Sequence, residues 1–374
     1  MNKIKVNILS PGRFHVCDLA RELDKNGFDV KFYSFVPTKR TLKFDLPKRC
    51  SASLFHLMIP FLAMEKIFFK RQRWAKVLSM KVQDYLTAIM MRRCDVLIAM
   101  SGSFVYAVEK AKKQGSIIIL ERGSKHILEQ KKILEYIPSL KGKKPVPDVN
   151  VKRELKGYEL ADYIAVASQH VVDSFLIHDY PLKKLFKNPY GVDLKMFYPL
   201  PLIVKKYDFI MVGGWSYRKG CDLIIEAIRK TNYTFLHVGS IVDLNFPQED
   251  RFSHVDAVDQ NKLVDYYNQA KIFILPSREE GLAMVQAQAI ACNLPLIGSK
   301  DSGAEDLQQM VEYSQFITLI EDYTSDSLIK AMYQAMKNYK NLNGKIYAGT
   351  AIKNLTWEAY GKRYATFLQS IIKK

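Results

Sequence analysis

The run Leu275-Pro-Ser-Arg-Glu-Glu-Gly-Leu-Ala-Met-Val-Gln-Ala-Gln-Ala-Ile-Ala-Cys-Asn-Leu-Pro-Leu-Ile297 holds a strand end, a turn, a helix and a new strand in one window. Apolar Ile272–Leu275 stops at Pro276, and the turn presents Glu279 and Glu280. Gly281 permits a tight backbone before a helix over about Ala283–Cys292, and Pro295–Ile297 restarts a strand. The first N–H groups of such a helix point into a crevice, a ready site for a phosphate or a polyol. Glu280 can accept hydrogen bonds from hydroxyls there, and Gln288, about two turns into the helix, can reach a second set. Glu279 and Glu280 would equally serve to complement the helix dipole.

The same rhythm extends in both directions. Upstream of the window lie strand-like Phe209–Val212 and Thr234–Val238, with helices over Lys219–Lys230 and Gln260–Ala270. The first half repeats it: strand Lys3–Leu9, a helix near Val16–Asn26 capped by Gly27, then strands Phe28–Phe35, Asp95–Met100, Ser116–Leu120 and Tyr163–Val166. Strands alternating with helices of this length imply parallel sheets with crossover helices. Two such series predict two α/β, doubly wound, Rossmann-like domains facing each other across a cleft, with ligand at the strands' carboxyl ends. Pro199, Pro201 and Lys205-Lys206 interrupt the period near 191–207. The expected division is residues 1–192 plus the amphipathic helix 356–374, which packs back on the first domain, and residues 193–355.

A length of 374 residues, 48% hydrophobic and 25% charged, excludes a disordered or low-complexity chain and suits two domains. The net charge of +18 is uneven: residues 1–200 hold 36 basic and 19 acidic side chains, whereas 201–374 hold 20 and 19. Five scattered cysteines with no Cys-x-x-Cys spacing argue against a disulfide framework or zinc site and fit a reducing cytoplasm. No stretch reads as a signal peptide. The apolar run Leu54–Phe69 is interrupted by Pro60, Glu65 and Lys66, so it does not read as a transmembrane span.

On these residues the chain resembles the GT-B retaining glycosyltransferases of family 4. Glu280-x7-Gln288 followed by Ala289-Ile-Ala-Cys292-Asn-Leu-Pro295 matches that family's Glu-x7-Glu element, with Gln288 in place of the second Glu and Asn293 in place of a Gly. Met211-Val-Gly-Gly-Trp-Ser-Tyr-Arg-Lys-Gly220, Lys187-Asn-Pro-Tyr-Gly-Val-Asp193 and Ser299-Lys-Asp-Ser-Gly-Ala-Glu305 match three further segments in the right order. The resemblance implies a donor site for a UDP- or GDP-linked sugar built from Gly213, Gly214, Arg218, Lys219, Glu280, Gly281, Leu282, Ala283, Gln288 and Glu305. Gly12, at the end of the first strand, would let backbone approach the diphosphate. Arg218 and Lys219 would carry the leaving-group charge, Glu280 would orient sugar hydroxyls, and His126 would sit beside the transferring carbon; His15 and His170 read as ordinary histidines. The chain has no Asp-x-Asp clamp, so no metal or other cofactor is expected.

The expected reaction is retaining transfer to a glycan or lipid-linked acceptor in cell-surface polysaccharide or glycolipid synthesis. A GT-B epimerase or a non-catalytic nucleotide-sugar binder are the alternatives. Residues 39–93 hold 13 Lys/Arg and three acids around the apolar run and Trp74. That pattern points to an anionic membrane surface, with the protein peripheral on its cytoplasmic face, or to a charged face of acceptor-domain helices. Nucleic acid is not expected, since no recognition motif is present.

Overall fold

The computed structural model describes residues 3–68, 73–341 and 349–372. The first sheet has seven parallel strands in the order β3-β2-β1-β4-β5-β6-β7: β1 (Lys5–Ser10), β2 (Asp29–Ser34), β3 (Ser51–Ser53), β4 (Val96–Met100), β5 (Ile117–Arg122), β6 (Tyr163–Val166) and β7 (Leu185–Lys187). The second has six in the order β10-β9-β8-β11-β12-β13: β8 (Tyr207–Val212), β9 (Phe235–Val238), β10 (Phe252–Val255), β11 (Ala270–Leu275), β12 (Leu296–Gly298) and β13 (Ile317–Leu319). In each sheet the strand order reverses once, between β1 and β4 and between β8 and β11. Those are the switch points at which open parallel sheets bind ligands.

The connecting helices of the first unit are α1 (Phe14–Lys25), α2 (Thr38–Leu42), α3 (Phe55–Phe68), α4 (Arg73–Met90), α5 (Val105–Lys113), α6 (Ile127–Tyr136), α7 (Asp148–Leu160) and α8 (Gln169–Leu176). The second contributes α9 (Cys221–Arg229), α10 (Leu263–Asn268), α11 (Met284–Ala291), α12 (Ala304–Gln308) and α13 (Ser325–Asn341). The last helix, α14 (Trp357–Ile372), returns to the first sheet as expected. Gly361 lies so close to α1 that an added Cβ would meet the Glu22 Cβ at 2.2 Å. The Phe367 ring stacks on Phe186 of β7 at 4.0 Å.

Strands covered on both faces by helices should be continuously apolar. Val6, Ile8, Leu9, Phe209, Ile210, Ile272, Phe273 and Ile274 of the central strands are all fully buried. Helix ends follow the chemistry read from the sequence: Gly27 (φ 90°) and Asn293 (φ 60°) both adopt the left-handed conformation beyond α1 and α11. Of the apolar run Leu54–Phe69, residues Phe55–Phe68 form α3; Phe69 and the side chains of 62–68 lie outside the described residues. Among the described residues no helix is long and apolar enough to cross a membrane.

Candidate active site

The two switch points face each other. Their carboxyl-end loops line a cavity of about 470 Å³, with Phe14, His15, Glu121 and Tyr190 on one wall and Lys219, Glu280, Leu282 and Ala283 on the other. The loop after β8 holds Gly213 at φ 126°, and the Lys219 ammonium lies 3.4 Å from where a Cβ there would stand. The backbone angle is one that glycine adopts without strain, and the small residue leaves the Lys219 ammonium room beside the loop. Behind the loop, the buried His237 bonds the Gly213 carbonyl through Nε2 (2.7 Å) and meets His254 at 2.9 Å through Nδ1. Burial, opposed in part by the Gly213 bond, pushes the His237 pKa down to about 4.

Arg218 and Lys219 both reach Glu280 Oε1, at 3.1 and 2.8 Å. Burial raises the Glu280 pKa, but the two cations outweigh it and hold the carboxyl below its ordinary value. Arg218 also pairs with Glu279 Oε2 at 3.4 Å, so the turn gathers two cations against two carboxylates, and among the described residues Lys219 is committed to Glu280 alone. The two units approach closely at Gly281: a Cβ there would lie 2.5 Å from the Gly123 carbonyl oxygen.

Glu279, the neighbour of Glu280, has a different job. Its wholly buried carboxylate accepts from Ser124 Oγ (2.7 Å), Gln130 Nε2 (3.1 Å) and the Lys125 N–H (3.3 Å), all across the interface. Lys125 Nζ also pairs with Asp301 Oδ1 at 2.5 Å, and Asp306 accepts from the Gln169 N–H (2.8 Å) and Lys187 (3.1 Å). The sequence offered Glu279 only as a dipole partner. Nothing in one chain's spacing shows that three donors from the other half converge on it.

Several expected site residues stand elsewhere. His126 does not reach the cleft: it caps α6, its Nδ1 accepting from the Leu128 N–H at 3.4 Å, and its ring is buried among Tyr158, Phe175 and His178. Burial and the nearby His178 and Arg122 push its pKa down to about 3, so it is a neutral structural histidine. The cleft histidine is His15, at the start of α1. Its Nε2 donates to Glu121 Oε2 (2.9 Å), and Glu121 Oε1 accepts from Tyr364 of α14 (2.7 Å). The sequence signal for this pair was Glu121 itself, a carboxylate ending an apolar central strand.

Gln288 is buried with its amide oxygen held by the Tyr267 hydroxyl at 3.0 Å, and it does not line the cavity. Glu305 is exposed on the first turn of α12, and Gly12 and Gly214, in the loops after β1 and β8, do not line the cavity either. His170 donates to the Glu280 carbonyl at 3.0 Å, which supports the turn from behind. Among the described residues no group of three or more His, Cys, Asp or Glu is placed to hold a metal ion.

Two facing Rossmann-like units with a cationic loop at one switch point define the GT-B architecture. Residues 196–351 match the family of glycosyl transferases group 1. The whole fold is similar to a sucrose-phosphate synthase from Thermosynechococcus elongatus (TM-score 0.68, 16% identity, 99% of this chain and 100% of that one). It is also similar to Anabaena HepE solved with UDP and glucose (TM-score 0.66, 14% identity, 98% and 100%). In sequence it is 23% identical over 250 residues to a Thermosipho melanesiensis protein described as "Probable sucrose-phosphate synthase", covering 59% of this chain and 57% of that protein. The chain thus matches little more than half the length of that relative.

Proposed function

We propose that the protein is a retaining, metal-independent glycosyltransferase that moves a sugar from a nucleoside diphosphate donor to a glycan or lipid-linked acceptor. The observation that carries this reading is the convergence of Arg218 and Lys219 on Glu280 at the second switch point. A donor diphosphate entering there takes over the two cations, which leaves Glu280 to accept from sugar hydroxyls. As the glycosidic bond breaks, negative charge grows on the diphosphate where Lys219 and Arg218 already stand. His15, oriented by Glu121, replaces His126 beside the reacting carbon. The bound ligands of HepE make UDP-glucose the first donor to try.

Replacing Lys219 by Ala is expected to lower turnover by a factor of about 100–1,000 while leaving the melting temperature within a few degrees of wild type. The measurement is release of nucleoside diphosphate across a panel of nucleotide sugars. Near wild-type turnover in K219A would reject the assignment.

The outer face of the first unit supports a peripheral membrane location. Leu57, Ile59, Trp74, Leu78, Tyr85 and Ile89 of α3 and α4 are exposed beside Lys76, Lys81 and Arg93. Each Lys or Arg near an anionic bilayer contributes about 1 kcal/mol, screened by salt.

A further inference from the structure

The basic excess of the first unit stops at the cleft. On its side of the cavity the charged side chains are one cation, Arg122, and two carboxylates, Glu121 and Glu154. A second cavity of about 330 Å³ opens from the same wall and shares Ser101, Arg122, Gln130 and Glu154 with the first. Residues 80–154 alone line it, so it is a side chamber of the first unit.

Arg122 is largely committed to the protein: four of its five N–H groups are taken, and the last, on Nη1, lies beside the Glu154 carboxylate that Nη1 already pairs with. Its Nε and Nη2 donate to the Lys125 carbonyl (2.9 and 2.7 Å), Nη2 also to Gln130 Oε1 (2.8 Å), and Nη1 to Glu154 Oε1 (2.7 Å). The guanidinium is buried and already neutralised. What the chamber presents is therefore uncharged or acidic: Ser101, Ser103, Gln130 and Asn150, the Glu154 carboxylate, and apolar walls such as Met80 and Leu134. An anion placed there would lose its water beside Glu154 and gain no free cation in return. A sugar ring matches the lining, since its hydroxyls meet the polar groups and its C–H faces meet the apolar ones.

We infer that this chamber is the acceptor subsite and that it selects an uncharged, hydroxylated sugar unit against phosphorylated or carboxylated ones. The inference rests on the glycosyltransferase reading. The lysines and arginines outside act on the surface that carries the acceptor, and Met80 joins the chamber to α4, whose Trp74 and Leu78 face outward. Charge recruits the carrier, and the chamber admits only its neutral head.

The test uses the full chain and matched probes: butyl glycosides of neutral hexoses and N-acetylhexosamines against the corresponding butyl uronides and hexoside 6-phosphates. Binding is read by saturation-transfer NMR, with UDP and GDP affinity measured in parallel. At least one neutral glycoside is expected to bind at least tenfold more tightly than its anionic counterparts. Asn150 lies exposed on the first turn of α7 at the chamber lining. Asn150→Lys should narrow the gap about tenfold by improving the anionic probes, and Asn150→Asp should widen it, both without change in nucleotide affinity. Anionic probes binding as well as neutral ones, no binding of any neutral glycoside, or a ratio unmoved by both variants overturns the inference. If neither UDP nor GDP binds, the underlying glycosyltransferase reading fails instead.

Discussion

Arg218 and Lys219 meet at Glu280 at the second switch point, and both were expected at the donor site from the resemblance of Met211–Gly220 to the family 4 glycosyltransferases. Histidines are harder. His126 follows a central strand and reads as a site residue, yet its ring turns inward to cap α6 and stack on His178. Spacing along the chain fixes where the Cα stands, whereas the direction of the ring depends on neighbours from α7 and α8. The two histidines should part company under mutation. His126→Asn keeps a capping group but loses the ring packing, so it should cost about 1–3 kcal/mol in stability and leave kcat per folded molecule unchanged. His15→Gln should do the reverse, lowering kcat at least tenfold with a small change in melting temperature. Denaturant titrations beside initial rates decide it, and a crossed pattern would return His126 to the site.

Every strand interior to the two sheets was readable as an apolar run. The strands that escaped reading, β3, β7, β10 and β13, are the four sheet edges. Each is three or four residues long, and β3 is Ser51-Ala-Ser53 with no residue fully buried. An edge strand is half solvated and needs no hydrophobic alternation, so only pairing to its neighbour defines it. Helix ends were more legible. Asn293 holds the left-handed position after α11, where the Leu294 N–H returns to the Ala289 carbonyl at 3.0 Å. Asn293→Gly should leave the melting temperature unchanged or slightly higher, and Asn293→Val should destabilise by about 1–2 kcal/mol. For α4, Trp74→Ser with Lys76→Glu and Lys81→Glu should release the protein from anionic vesicles in co-sedimentation. Equal pelleting of the variant and wild type would remove the membrane proposal.

Across the whole molecule, acid should act through histidines that the fold keeps neutral. His126 is held at about 3, His237 at about 4, and burial also lowers His170. In the unfolded chain each titrates near 6.5. Between that value and the folded ones the unfolded state binds more protons, so stability falls as pH drops, by about 1.4 kcal/mol per unit for each such group. Unfolding free energies at pH 7 and pH 5 should show this loss. The double variant His126→Phe, His237→Phe should flatten it, and an unaltered slope would show that other groups govern acid sensitivity.

The return of α14 to the first sheet also orders events in time. The second sheet is complete once β13 is made, whereas the first awaits Trp357, Tyr360 and Tyr364, all buried against it. During synthesis the second unit can therefore fold while the first is still open along α1. Tyr364 is the hydroxyl that holds Glu121 beneath His15, so the cleft is finished only when the final helix docks. A nascent chain can acquire the Arg218–Lys219–Glu280 turn early, but the wall opposite is set later.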